Sequence, residues 1–309
     1  MTHKQGRSGG YIALTLTSLL WGTTWVASKI GLQEMPVLQM TAIRQLIAGI
    51  IMVTFFVLRH RSSMPSRTQF RQIFMLSLFM FVLANGLSTW SLMYIPAGLS
   101  ALLGALYPLS VVLIEFLFLR KKGPDPLMIV GFVLGIAGVA IVFYENLSVE
   151  LTTTFITGIS LSLGAMLSWS MGTIFITNIK MELNPYYSTG WQMVISSGML
   201  YVMSVLVEPS ISISEISLKA WSVIMYLVIF GSITAFAAFI YSMKRLPVAI
   251  ASLYAYINPL VAMVGGYFIL GEKLTVFIFW GAIVTLAGVF MVNYGHKKRL
   301  EKIRNELPE

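Results

Sequence analysis

Ten predominantly apolar segments follow one another along the chain: 11–30, 36–58, 73–94, 98–119, 126–144, 155–179, 186–207, 219–243, 248–270 and 275–294. Each is about 20 residues long, the length an α-helix needs to cross the hydrocarbon core of a bilayer. The polar segments between them are short. The longest, 59–72, has 14 residues, so no soluble domain fits between spans. The pattern predicts an all-α polytopic membrane protein of ten helices. It divides into an N-terminal tail (1–10), two five-helix halves (11–150 and 151–294) and a basic C-terminal tail (295–309). A full-length span follows the first tail without a small-residue cleavage site, which argues against a cleaved leader.

Composition agrees and narrows the class. Of the 309 residues, 57% are hydrophobic and 11% charged, against about 45–50% and about 25% in a soluble domain. That balance leaves too little polar surface for a cytosolic enzyme, a disordered chain or a secreted scaffold. Cysteine is absent, so there is no disulfide framework, thiolate nucleophile or Cys-ligated metal. A net charge of +9 invites a nucleic-acid reading, but the basic residues are sorted by topology. Lys4, Arg7, Arg59, Arg61, Arg67, Arg71, Arg120, Lys121, Lys122, Lys180, Lys244, Arg245, Lys297, Lys298, Arg299, Lys302 and Arg304 fall on the side of the termini, 17 of 21 in all. Lys29, Lys219 and Lys273 fall on the other side, and Arg44 within a span. The positive-inside rule then puts both termini in the cytoplasm, in an inner (plasma) membrane. The excess positive charge reads as topology and contact with anionic lipid, with no nucleic-acid partner.

The chain also repeats itself. Pro96 and Pro108 are 12 residues apart, as are Pro247 and Pro259. Leu102 and Leu109 match Leu253 and Leu260 in the same register, and Trp90-Ser91 matches Tyr241-Ser242. After a one-residue slip Gly131 and Gly138 match Gly281 and Gly288, while Trp21 falls opposite Trp169 and Thr41 opposite Thr189. Five spans per half is an odd number, so the halves are inverted with respect to each other. That is a transporter architecture, with its binding site near the midplane where the repeats meet.

These residues bring out a resemblance. Trp21-Gly22-Thr23-Thr24-Trp25, then Pro36 and Arg44-Gln45, and above all Pro247 to Gly288 resemble the EamA-type branch of the drug/metabolite transporter superfamily. The last stretch holds Ala249, Ala251, Pro259, Gly271-Glu272-Lys273-Leu274-Thr275, Gly281 and Leu286-Ala287-Gly288-Val289. The resemblance implies ten helices, a central cavity, and export or exchange of small metabolites such as amino acids. One departure is internal: the first half has Arg120-Lys121-Lys122 where the second has Gly271-Glu272-Lys273, so the Gly-Glu element occurs once.

Pro108 and Pro259 both fall near the middle of their spans. Each lacks an N–H and clashes with the carbonyl four residues back, Gly104 or Ala255, which predicts a kinked hinge at each proline. Around them stand Tyr107, Tyr254, Tyr256 and Asn258. Trp21, Asn85, Trp90, Trp169, Gln192 and Tyr241 complete a candidate substrate-binding set. An aromatic-lined cavity with a few polar groups suits an amphiphilic solute, and ring faces attract an ammonium. Trp25, Trp191, Trp221 and Trp280 read instead as interfacial anchors.

Two charges lie within spans. Arg44 is a candidate for a substrate carboxylate or for tying helix-end carbonyls. Glu115 is a candidate coupling group, or a side chain reaching back to water at the span's end. The histidines, His3, His60 and His296, lie in tails and a loop, so none forms a relay across the membrane. No metal cluster, cofactor motif or phosphate-binding loop stands out. The sequence therefore reads as a secondary transporter, not an enzyme, working by alternating access without a cofactor. Scarce buried carboxylates favour drive by the substrate's own gradient, or exchange. A passive channel and a membrane-embedded enzyme are the rivals, and monomer versus homodimer stays open.

Overall fold

The computed structural model describes residues 2–118, 125–147 and 152–306. Among them there is no β-strand, and ten antiparallel rods carry the chain. They are α1 (Thr2–Gly31), α2 (Val37–His60), α3 (Arg67–Ser91), α4 (Ala97–Leu117) and α5 (Pro126–Leu147) in the first half. The second half has α6 (Thr153–Asn178), α7 (Pro185–Val207), α8 (Leu218–Arg245), α9 (248–270) and α10 (Val276–Glu306). Each expected span is one rod. Both termini lie at the same end of the bundle, here the terminus end; the other is the far end. The Arg120-Lys121-Lys122 triplet lies outside the described residues.

Helix starts and stops follow local chemistry. Pro36 and Pro96 stand directly before α2 and α4, where proline's fixed φ is pre-set and its missing N–H would have no helical partner. Ser66 and Gln69 form a reciprocal capping box that starts α3 ahead of its apolar stretch. α10 continues through the basic tail, because Lys, Arg and Glu are good helix formers and cations favour a helix C-terminus.

Large apolar side chains face outward all round the bundle. Leu58, Leu206 and Phe268 are each 76–77% exposed, an arrangement suited to lipid and not to water. Inside, packing follows a pseudo-twofold. α2 lies along α7 and α5 along α10, while α1 packs on α8 and α9, and α6 on α3 and α4. The first helix of each half is thus embedded in the other half, and α4 meets α9 across the centre. The α5–α10 seam is so close that a Cβ on Gly131 would strike the backbone of Gly288 and Val292, and one on Gly138 the backbone of Thr285. Small residues are what let membrane helices approach like this.

Candidate functional site

Two features of helix geometry shape the centre. First, α3 and α8 each contain a π-helical stretch, Ser77–Gly86 and Leu227–Thr234. The two occupy equivalent places in the repeats. A π-turn widens the helix and redirects backbone carbonyls and side chains, and such turns are frequent at functional sites. Here the α8 stretch offers the Gly231 carbonyl to Trp21 Nε1 (3.1 Å) and the Ser232 hydroxyl to Arg44 Nε (2.9 Å). The α3 stretch offers the Phe81 carbonyl to Gln45 Nε2 (3.4 Å) and carries Asn85.

Second, α4 and α9 are interrupted. α4 breaks at Ala105–Leu106, immediately before Tyr107-Pro108, and Leu106 N–H donates three residues back to the Leu103 carbonyl (3.2 Å). The interruption stands directly before Pro108, the position at which the sequence predicts a kinked hinge. In α9 the break lies at Ser252–Leu253, and the helix then runs unbroken from Tyr254 through Pro259 to Leu270. The interruption therefore lies more than a turn before Pro259, toward the terminus end. There Leu253 and Ala255 donate to the Ile250 and Ser252 carbonyls at 3.0 and 3.1 Å.

Between the halves lies a cleft of about 160 Å³. It extends from the helix interruptions toward the far end, with walls from α1, α2, α3, α4, α6, α8 and α9. Of the sequence-derived candidates, Trp21, Arg44, Asn85, Tyr107, Trp169, Tyr254 and Asn258 line it, as does Pro259. The others sit elsewhere. Trp90 packs on the Leu38–Val82–Leu200 cluster, and Gln192 bonds Ser188 one turn before it on α7 (3.0 Å). Tyr241 is 37% exposed beneath the Arg245 guanidinium, while Tyr256 accepts a hydrogen bond from Asn293 of α10. Glu115 is half-buried two turns beyond Pro108 on α4 and is not part of the wall.

The cleft is closed toward the terminus end by rings. Trp21 contacts Phe236, Phe239 and Tyr254 at centroid distances of 5.0, 5.2 and 5.3 Å, and Trp169 edge-on at 6.5 Å. The Tyr254 hydroxyl donates to the Tyr107 hydroxyl (3.4 Å), joining the two interrupted helices at this floor. Above it the wall is mixed. Trp25 is one of its residues, not an interfacial anchor; its Nε1 donates to Asn258 Oδ1 (2.9 Å). Thr24, Ser28, Ser88, Thr89 and Ser162 add hydroxyls. Their presence was unmarked in the sequence, since Ser and Thr satisfy themselves on helix carbonyls at any depth.

At the far end, α4 is held by the second half. Gly271 ends α9 in the left-handed region (φ 67°), and Glu272 N–H returns to the Gly266 carbonyl (3.0 Å). That helix-ending turn needs glycine, and it aims the Glu272 carboxylate at the start of α4. There Ala97 N–H donates to both carboxylate oxygens (2.8 and 3.1 Å), replacing the side-chain cap that Pro96 lacks. Lys29 Nζ of α1 completes the group, 2.9 Å from Glu272 Oε1 and 2.9 Å from the Ile95 carbonyl. One motif of the second half thereby fixes α1 and α4 of the first.

Comparisons with known proteins agree with this architecture. The chain is 27% identical over 285 residues to the inner membrane transporter YedA of Escherichia coli K12, covering 92% of this chain and 90% of that one. It is 24% identical over 291 residues to the transporter YoaV of Bacillus subtilis, covering 94% and 97%. A WAT1-related chloroplastic protein of Arabidopsis thaliana is 28% identical, over 89% of this chain and 67% of its own. A solved structure titled "Crystal structure of protein" shares the fold, with a TM-score of 0.63 at 18% identity over 93% of this chain and 97% of that one. The family described as "EamA-like transporter family" matches residues 8–144 and 156–294, one match in each half. The chain belongs to the EamA-like transporter family.

Proposed function

We propose that this membrane transporter exports or exchanges a small amphiphilic organic metabolite, such as an amino acid, by alternating access between its two halves. The observation that carries the reading is the cleft between the repeats, floored by the Trp21–Phe236–Phe239–Tyr254 rings and walled by scattered hydroxyls and amides. Such a wall binds a solute with one apolar and one polar part. A floor of side chains closes one end, whereas a pore would offer a polar path throughout. The interrupted helices α4 and α9 cross at the centre and supply the joints about which the halves rock.

In this reading the substrate's own gradient, or exchange, drives transport, because no carboxylate or histidine is among the residues lining the cleft. The concentration of basic residues at the terminus end supports a cytoplasmic location for that end. A metabolite-tolerance screen of cells with and without overexpression names candidate solutes. Counterflow of each hit in proteoliposomes then tests the mechanism. Saturable uptake accelerated by internal solute is expected, and flux that never saturates and shows no counterflow would mean a pore instead.

A further inference from the structure

Arg44 lies eight residues into α2, deep in the bundle, and is only 6% exposed. Its Nε donates to Ser232, and among the described residues no other hydrogen bond and no ion pair reaches its guanidinium. The side chain lines the cleft, and no acidic residue is among the described residues of its walls. A guanidinium has five donors and cannot be deprotonated away. Left in a low-dielectric interior with one neutral partner, it is an uncompensated charge. Across the same cleft, Asn85 Oδ1 is buried without a hydrogen-bond partner. Both groups depend on π-helical stretches: Ser232 on that of α8, Asn85 on that of α3.

We infer that Arg44, with the Ser232 hydroxyl, is an anion subsite of the cleft, and that the transported solute presents a carboxylate to it. Asn85 Oδ1 then receives an N–H or O–H of the same solute, and the rings of Trp21 and Trp169 flank its apolar part. A monoanion fits better than a phosphate dianion. One guanidinium neutralises one charge, and a second negative charge would go unpaired in the membrane interior. The fork also matches the two oxygens of a carboxylate. This inference rests on the transport reading above and adds the charge of the solute to it.

The test uses the full chain in proteoliposomes at neutral pH. Counterflow is measured for a panel of amino acids and aliphatic and aryl monocarboxylates, each beside its carboxamide, with phosphate monoesters of similar size as a further arm. At least one carboxylate is expected to be carried with a KM about 10- to 100-fold below that of its amide, the range for a charge-assisted hydrogen bond. Arg44→Gln should remove that preference, bringing the acid-to-amide KM ratio close to one, and Arg44→Lys should restore part of it. Ser232→Ala should weaken the acid alone by several-fold and serves if Arg44→Gln does not fold. The acid-to-amide ratio of the wild-type protein needs no variant.

Equal KM values for acid and amide would overturn the inference and leave the transport reading standing. So would counterflow confined to amines, amides or phosphate monoesters, or a preference that survives Arg44→Gln. Absence of saturable counterflow by every solute, the panel and all screen hits included, from monodisperse protein would remove the transport reading, and this inference with it.

Discussion

α4 and α9 are mates under the pseudo-twofold, with the same Pro-to-Pro spacing, yet they yield in different places. α4 gives way directly before Pro108, whereas α9 gives way more than a turn before Pro259 and carries that proline inside a continuous helix. Their partners differ. The first piece of α4 is clamped: Ala97 is bonded to Glu272, and Ala97 to Leu103 are all buried. The strain of the proline is therefore taken up where the clamp ends. Past its break α9 is held from the side, by Trp25 on Asn258 and by Asn293 on Tyr256, which keeps the turns around Pro259 helical. Equivalent sequence rules thus end in unequal joints because the tertiary supports are unequal.

The largest expected effect comes from removing the clamp. Glu272→Ala uncaps α4 and leaves Lys29 without its carboxylate. A cap is worth about 0.5–2 kcal/mol and loss of one partner of a buried pair about 3–5. Because Lys29 is a quarter exposed, a loss of about 2–3 kcal/mol is expected, read as a lowered thermal midpoint in detergent. Glu272→Gln should recover part of it through the Ala97 N–H. A midpoint unchanged in Glu272→Ala would mean that α4 is not held from the second half.

Next, Pro108→Ala restores an N–H that can bond Gly104 and heal the α4 break, a change in helix preference of up to about 3 kcal/mol. Counterflow per molecule should slow at unchanged expression. Pro259→Ala should slow it less, since that turn is already helical. Equal slowing would mean that both prolines are hinges despite the geometry.

A smaller effect is expected for Trp25→Phe, which removes the bond to Asn258 Oδ1 that supports α9. The loss should be about 1 kcal/mol, with increased proteolysis or hydrogen exchange around 252–258 as the local readout. Smallest is Glu34, in the far-end loop after α1, whose carboxylate accepts hydrogen bonds from Lys219 and Ser217 at 2.9 and 2.8 Å. The Lys219 hydrogen bond above all holds its pKa below the ordinary 4.5. The folded state therefore gains from it above that value and loses it as pH falls through the lowered one. The stability difference between wild type and Glu34→Gln should be slight at neutral pH and vanish in acid. In contrast with the enclosed Glu272, an exposed pair contributes little.

Much of this was legible in the sequence. Ten apolar stretches and the repeated Pro spacing are enough to give ten helices in two inverted halves, because a membrane span leaves few alternatives for the backbone. Trp21, Tyr107, Trp169, Tyr254 and Asn258 could be picked out because they flank the prolines or pair across the repeat. The rest depended on partners. Nothing in Ser77–Gly86 or Leu227–Thr234 marks a π-turn, since no proline or special residue requires one. Trp25 looked like an anchor because a tryptophan near a span end usually is; only Asn258, 233 residues away, draws it inward. The Gly271-Glu272 element was visible, but its target at Ala97 was not, because a carboxylate in a turn does not name the helix it caps.

The chain contains no cysteine, so a single introduced thiol reports on one place. Ser88→Cys, on the cleft wall of α3, can be labelled with a small polar maleimide in proteoliposomes, with and without a solute that shows counterflow. If the cleft between the halves is the transport site, labelling should slow as solute is added, half-maximally at the concentration that half-saturates counterflow. A labelling rate indifferent to the solute would contradict that account.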